Sequence, residues 1–207
     1  LLGLVSLYIH CAFGEVVAGT PGKHRLAGYA QHFIGRRAKQ MVTISQTMAF
    51  WGAQLAYIIV GGMFLRAALY GFDGGDSSFF AIGLFCFVAF ITFFGIRLFD
   101  RAEFYLTLGL ILIVGAILLI GAPQVSVVNL TNWNPARAFV PYGIVLFALG
   151  GSPAIPEMWE IVRGKKRTLR AAIVTGTLIS MAITLLFALV VVGISGSGTS
   201  ADAFSGL

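Results

Sequence analysis

Six apolar stretches recur along the chain, and each is long enough to cross the hydrocarbon core of a bilayer as a helix. The chain is 58% hydrophobic and only 11% charged, and its mean hydropathy is +0.91. No ordinary soluble domain has this composition. The sequence therefore predicts an all-α polytopic membrane protein, with one transmembrane domain over residues 1–207. The predicted spans are 1–17, 41–70, 79–99, 103–121, 139–163 and 168–194.

The basic residues are distributed unevenly between the loops. All Lys and Arg residues except Arg66 and Arg137 lie in or beside the loops 18–40, 97–103 and 164–167. Six spans place these three loops on one side of the membrane, and the positive-inside rule makes that side cytoplasmic. We expect a multi-pass protein of the cell membrane. The net charge of +6 reflects this topology and does not indicate nucleic acid binding, although the basic loops could also contact acidic lipids.

The stretch 139–163 begins as a membrane helix and is interrupted in its middle. Gly150 and Gly151 each cost a helix about 1 kcal/mol relative to Ala. Ser152 is a suitable N-cap, and Pro153 suits the first turn of a new helix. The interruption is ~18 Å from residue 139, near the middle of a bilayer core of ~30 Å. Its freed backbone groups cannot face lipid, so the sequence predicts a break that lines a cavity, or a kink used only for packing.

The long predicted helix 41–70 carries polar groups on one face. Gln46, Phe50, Gln54, Tyr57 and Gly61 recur at helical spacing. These residues could form interhelical hydrogen bonds, or they could form the wall of a cavity with Tyr57 over a substrate. The spacing alone favours neither interpretation. The broken helix favours the second, because a cavity requires walls.

Ionisable residues inside membrane helices are functional hypotheses by default. Glu15 could take part in ion coupling, or it could pair with a nearby Arg or Lys. Glu157 could also take part in ion coupling, or it could stabilise the start of its helix. His10 is a further candidate, although a neutral hydrogen-bonded His is equally compatible with its position. The sequence contains no set of residues with metal-ligand spacing and no catalytic constellation, so we expect no metal, no cofactor and no enzyme.

The two ends of the sequence suggest a piece of a longer protein. The first residue is Leu1, within an apolar run, and the last residues form a polar segment. We therefore expect the partners of this chain to include the remaining helices of a full-length protein, together with the lipid bilayer.

Three motifs give the chain a family resemblance. GEVVAGTPGKHRLAGYAQHFIG (14–35), GAQLAYIIVGGMFL (52–65) and YGIVLFALGGSPAIPEM (142–158) together resemble the tryptophan/tyrosine permease family of aromatic and hydroxy amino acid permeases. That family belongs to the amino acid–polyamine–organocation superfamily. The resemblance implies the leucine-transporter fold of two inverted five-helix repeats. The six spans would then be helices two to seven, and the broken stretch would be the sixth.

The resemblance also implies a substrate site at the break. The carbonyls freed at Phe147, Ala148, Leu149 and Gly150 would accept hydrogen bonds from the ammonium group of an amino acid. Phe147 would be an aromatic lid, and Gly150 and Gly151 would let the substrate approach the backbone. The implied site residues are Phe147, Ala148, Leu149, Gly150, Gly151 and Ser152, with Gln54 and Tyr57 on the opposing wall.

The implied function is secondary active transport, with proton-coupled uptake of aromatic amino acids by alternating access. The span 103–121 lacks the Lys that some relatives use in place of sodium, so proton coupling rests on the family pattern and not on a residue. One alternative is a transporter of the same fold with sodium coupling or another substrate. A second alternative is a non-transporting membrane subunit whose break is a packing kink.

Overall fold

The computed structural model describes residues 1–71, 76–94, 97–131, 139 and 141–196, without the side chains of 94 and 97–103. All regular elements in this part of the chain are helical. In the described residues two single 3₁₀ turns, Ala122–Gln124 and Ser152–Ala154, accompany nine α-helices. The helices are α1 (Leu2–Gly19), α2 (Leu26–Phe33), α3 (Arg36–Tyr70), α4 (Ser78–Phe94), α5 (Arg97–Gly121), α6 (Val127–Leu130), α7 (Tyr142–Ala148), α8 (Ile155–Ile161) and α9 (Lys166–Ser195).

Four of these helical segments are long and apolar enough to cross a membrane. They are Leu2–Gly19, Arg36–Tyr70, Phe104–Gln124 and Lys166–Ser195, whereas the apolar helix Ser78–Phe93 is shorter. Most of their large apolar side chains are exposed, as expected where lipid and not protein covers the surface. The fifth predicted span, 139–163, contains two helices of seven residues each, α7 and α8. The structure therefore supports a membrane-embedded helical protein, and the number of six spans stays a prediction.

Some predicted helix ends differ from the structure. The charged residues between the predicted spans 79–99 and 103–121 predict a tight turn at 100–102, but these residues lie within α5, so that prediction is wrong. Residues 97–108 contain no Gly or Pro, and charged side chains do not interrupt a helix. Similarly, α3 begins at Arg36 and not at 41, and α9 begins at Lys166 and not at 168. The charges mark the places where helices leave the apolar layer, and the helices continue past them.

The first of two compact units comprises Leu1–Thr43 and Gly121–Gly196. In this unit α1 packs against α7, α8 and α9, and α6 packs against α9. Its buried core contains one residue or more from each of α1, α2, α8 and α9. The core residues are Val17, Tyr29, Ile155, Leu169 and Ile173.

The end of α9 is closed by residues from the segment before α7. The backbone N–H of Ser126 donates to the Gly193 carbonyl at 3.0 Å, and the Asn129 amide donates to the same oxygen at 2.8 Å. The last carbonyls of a helix have no partner within the helix. These two donors therefore satisfy a group that would be costly to leave bare in an apolar medium.

The second unit comprises Ile44–Ile120 within the described residues. Here α3 and α4 approach closely at one point, because Gly62 has no side chain. A Cβ atom added at Gly62 would lie 2.6 Å from the backbone N and Cα atoms of Ala81. About two turns after Gly62, at the end of α3, the Tyr70 ring lies edge to face with the Phe80 ring, and their centroids are 5.7 Å apart.

The close approach of α3 and α4 predicts opposite outcomes for two glycine substitutions in one helix. Gly62→Ala forces the new methyl group against the Ala81 backbone, so we expect a loss of ~1–3 kcal/mol in stability. Gly52→Ala meets nothing within 4 Å, so it should gain up to ~1 kcal/mol from helix propensity. Thermal unfolding of the purified protein in detergent would compare the two variants. Equal melting temperatures of the two variants would contradict the close approach of Gly62 to the Ala81 backbone.

Candidate functional site

The break between α7 and α8 is a tight backbone turn caused by two prolines. An uninterrupted α-helix would need an N–H at position 153 for the Leu149 carbonyl and one at position 156 for the Ser152 carbonyl, and Pro153 and Pro156 have none. The Gly151 N–H instead donates to the Leu149 carbonyl at 2.9 Å, and the Gly150 N–H donates to the Phe147 carbonyl at 3.2 Å. The chain then enters the 3₁₀ turn and α8.

The glycines are not needed for an unusual backbone conformation at the break. Gly151 has φ −89° and ψ −5°, which any residue can adopt, and Gly150 is not among the glycines with positive φ. Their role is spatial. A Cβ atom at Gly150 would lie 3.2 Å from the Phe147 carbonyl oxygen, and one at Gly151 would lie 3.4 Å from Cε1 of His10.

The prediction that Ser152 caps the second half-helix is wrong. Gly151 occupies the cap position of the 3₁₀ turn, and Ser152 is the first residue inside that turn, with no side-chain cap hydrogen bond. The turn starts one residue early because the Ala154 N–H donates to the Gly151 carbonyl at 3.1 Å, which places Pro153 at the second position of the turn.

The break leaves backbone carbonyls at the end of α7 without backbone partners. In the described part of the chain no backbone N–H donates to the carbonyls of Leu146 or Gly150. The carboxyl end of a helix carries partial negative charge and favours a cation. These carbonyls can therefore accept hydrogen bonds from an ammonium group.

The break lines a cavity of about 260 Å³ in the first unit. Its walls come from α1, which contributes His10, from the break, which contributes five residues in sequence, from α8, which contributes Ile155, and from α9, which contributes Thr177 and Ser180. Most other lining groups are apolar. The five residues from the break are Phe147, Ala148, Leu149, Gly150 and Gly151, which are five of the six predicted there; Ser152 lies outside the lining.

His10 is the residue that α1 contributes to the lining of the cavity. It is 5% exposed, and its Nδ1 is 3.2 Å from the Thr177 hydroxyl oxygen. Sequence reasoning placed neither residue at the break. The available signal was an ionisable group inside a membrane helix, but nothing in the sequence shows that α1 and α9 bring His10 and Thr177 together beside Gly151.

The two predicted wall residues of α3 belong to the second unit. Gln54 lines an open groove of about 480 Å³ with Thr92 and apolar residues of α3 and α4. Tyr57 is 61% exposed and does not line that groove. Within either unit, the structure does not bring these residues together with the break.

The two carboxylates considered for ion coupling both have basic neighbours outside the cavity. Glu15 lines a cleft of about 480 Å³ between α1 and α9, together with Lys166, Arg167 and Arg170. Glu157 lies 3.4 Å from Arg25. Neither Glu15 nor Glu157 lines the cavity at the break.

A small cluster of ion pairs connects the segment before α2 to α8. Lys23 is 3.1 Å from Glu160, and Arg25 is 3.7 Å from Glu160. Exposed pairs of this kind contribute at most ~1 kcal/mol each. Beneath them Tyr29 is buried, with its ring 5.6 Å from that of Phe13. Together these contacts hold the second half-helix against α1 and α2.

A helical membrane protein with a broken helix around a cavity has the features of a transport protein. The chain matches the tryptophan/tyrosine permease family over residues 1–199, so it belongs to that family. Neither a curated protein nor a solved structure matches it. The family supports a transporter of aromatic amino acids in general, and a transporter rather than an enzyme.

The burial of Tyr29 beneath the ion pairs of α8 predicts a shift in the pKa of its phenol. Burial, followed by the charge of Glu160, raises the pKa of the Tyr29 phenol above its ordinary 10.0. Because the folded-state pKa is raised, the neutral phenol stabilises the fold below pH 10, and this contribution is lost as the pH rises through the folded-state value.

We expect Glu160→Gln to lower the pKa of Tyr29 only in part, since burial is the larger cause. The measurement is the tyrosinate absorbance titration, taken as the difference between each protein and its Tyr29→Phe counterpart. Glu157→Gln is the matched control, because Glu157 is not a cause of the shift. Identical titrations of all three proteins would refute the contribution of Glu160.

Proposed function

We propose that this chain carries the substrate-holding part of a secondary transporter that takes up aromatic amino acids with protons by alternating access. The observation that supports this most strongly is the cavity at the break, where the carboxyl end of α7 exposes unpartnered carbonyls. The family supplies the general substrate class.

The chemistry of the cavity matches the two ends of an aromatic amino acid. Carbonyls of Ala148 and Gly150 suit the ammonium group, because both belong to the negative end of the half-helix. The apolar lining suits an aromatic side chain, and it includes Phe147, Leu149 and Ile155. Aromatic rings pair favourably with one another at the edge or in offset stacks.

Alternating access requires one half of the broken helix to move relative to its surroundings. The second half, α8, is fixed to the core by Ile155 and Pro156, both buried, and by the ion pairs to Lys23 and Arg25. The first half, α7, has no buried residue. We propose that the two halves therefore respond differently when a substrate binds. In this proposal residues 18–40, 97–103 and 164–167 lie on the cytoplasmic side of the cell membrane.

Sodium coupling is the alternative within the same fold. Carbonyl and hydroxyl oxygens are ligands for such hard cations, and the cavity has both. In the described residues its lining contains no carboxylate, which favours a proton as the coupling ion. Transport driven by one gradient at a time separates the two.

The test is uptake of labelled tryptophan into proteoliposomes by the complete transporter chain. We expect accumulation with an inward proton gradient and none with an inward sodium gradient alone. The reverse result would establish sodium coupling. No accumulation with either gradient across a panel of amino acids would leave the break as a packing kink in a non-transporting subunit.

A substitution at the break tests the location of the site. Gly151→Leu adds four carbon atoms toward His10, whose ring lies 3.4 Å from the position of a Cβ, so we expect uptake to be lost while membrane insertion stays normal. Gly143→Leu is the control, since Gly143 lies on α7 with nothing within 4 Å. Unchanged uptake by Gly151→Leu would place the substrate elsewhere.

A further inference from the structure

His10 connects the break to the helix behind it. On one side its Nδ1 is 3.2 Å from the Thr177 hydroxyl of α9. On the other side its Cε1 and Nε2 are 3.4 and 3.8 Å from the position of a Cβ at Gly151. A change in the charge of this ring would therefore act directly on the backbone of the break.

In the described part of the chain, His10 is the only titratable side chain that lines the cavity. The elements packed around it carry other ionisable groups, but those groups face other sites. Glu157 and Glu160 of α8 pair with Arg25 and Lys23, and the basic residues of α9 line the separate cleft that contains Glu15. The ionisable groups of these elements outside the cavity are Tyr8, Cys11, Glu15, Tyr142, Glu157, Glu160, Lys166, Arg167 and Arg170.

Thr177 is a suitable partner for an imidazole that changes its protonation state. A hydroxyl group can donate to the lone pair of a neutral ring nitrogen, or rotate and accept from a protonated one. The hydrogen bond to Nδ1 is therefore available in both states. The edge of the ring that carries Cε1 lies toward Gly151, just beyond the end of α7, and the negative end of that half-helix favours an imidazolium.

We propose that His10 binds the transported proton in this permease, with Thr177 as its hydrogen-bonding partner. This inference rests on the proposed function. The proton comes from water on the outer side and binds the lone pair of the neutral imidazole. It leaves from the same nitrogen to cytoplasmic water after the cavity opens inward. No bond to the substrate forms or breaks.

The proposal explains how a proton and an amino acid could increase each other's affinity. The carbonyls at the end of α7 hold the ammonium group, and an imidazolium at His10 attracts the carboxylate of the same zwitterion. Coupling of this kind is reciprocal: if protonation strengthens substrate binding, substrate binding strengthens protonation by the same factor. That reciprocity couples the two ligands, and the proton gradient drives their symport.

The experiment compares the complete wild-type transporter with His10→Asn in proteoliposomes. An Asn amide can still hydrogen-bond to Thr177, but it does not titrate. We expect His10→Asn to lose accumulation driven by an inward proton gradient, while its exchange of labelled for unlabelled tryptophan without a gradient becomes weaker and no longer depends on pH. His32→Asn is the matched control, because His32 is exposed on α2, and it should accumulate like the wild type.

The outcomes separate this inference from the proposed function. A wild-type protein without proton-driven uptake contradicts the proposed function itself. A coupled wild type together with a coupled His10→Asn contradicts only the role of His10. Loss of both accumulation and exchange in a correctly folded His10→Asn would give His10 a structural role, and it would overturn the proposal.

A second variant keeps the proposal testable if His10→Asn does not fold. Thr177→Val retains the imidazole but removes its partner, so we expect the pH of half-maximal uptake to shift by about one pH unit, the size expected when a charged group loses a hydrogen bond. Thr175→Val is its control, because the Thr175 hydroxyl donates to the Ala171 carbonyl of its own helix at 2.8 Å. An unchanged pH profile in Thr177→Val would overturn the proposal.

Discussion

The need to satisfy backbone hydrogen bonds without water governs the structure around the break. A membrane-embedded helix can leave carbonyls unpaired only where protein, water or a ligand supplies donors. Pro153 and Pro156 remove two N–H groups, and the turn re-pairs the Leu149 and Ser152 carbonyls with other donors, but it leaves the carbonyls of Leu146 and Gly150 without a backbone partner. The carbonyls that stay unpaired lie beside a cavity. The same defect that would destabilise a lipid-facing helix is therefore what enables this one to hold a polar ligand.

The sequence predicted the features that depend on local chemistry. The interruption near 150–152 follows from Gly and Pro, and the helical class follows from recurrent apolar stretches. The sequence predictions that were wrong also concern local features. The 100–102 turn was inferred from charges, but Arg, Asp and Glu are compatible with a continuing helix. Ser152 was assigned as a cap from its residue type, but the Gly151 carbonyl accepts the first hydrogen bond of the turn, so Gly151 is the cap.

The site could be predicted only where it is contiguous in sequence. The residues 147–151 follow one another, so any cavity at the break includes them. His10 and Thr177 are 167 positions apart, and their pairing depends on the packing of α1 against α9 around Leu169 and Ile173. No periodicity within either helix carries that information, since it depends on the relative rotation of the two helices.

The same packing places His10 on a fixed part of the unit. Its helix, α1, contributes Val17 to the core, and α9 contributes Leu169 and Ile173. α7 has no buried residue, whereas α8 is anchored by Ile155 and Pro156. A charge gained at His10 would therefore act from a stationary ring on the freed carbonyls of the less anchored half-helix. Such a difference in anchoring lets a small electrostatic change favour one of two backbone arrangements, which is the requirement for coupling an ion to a conformational equilibrium.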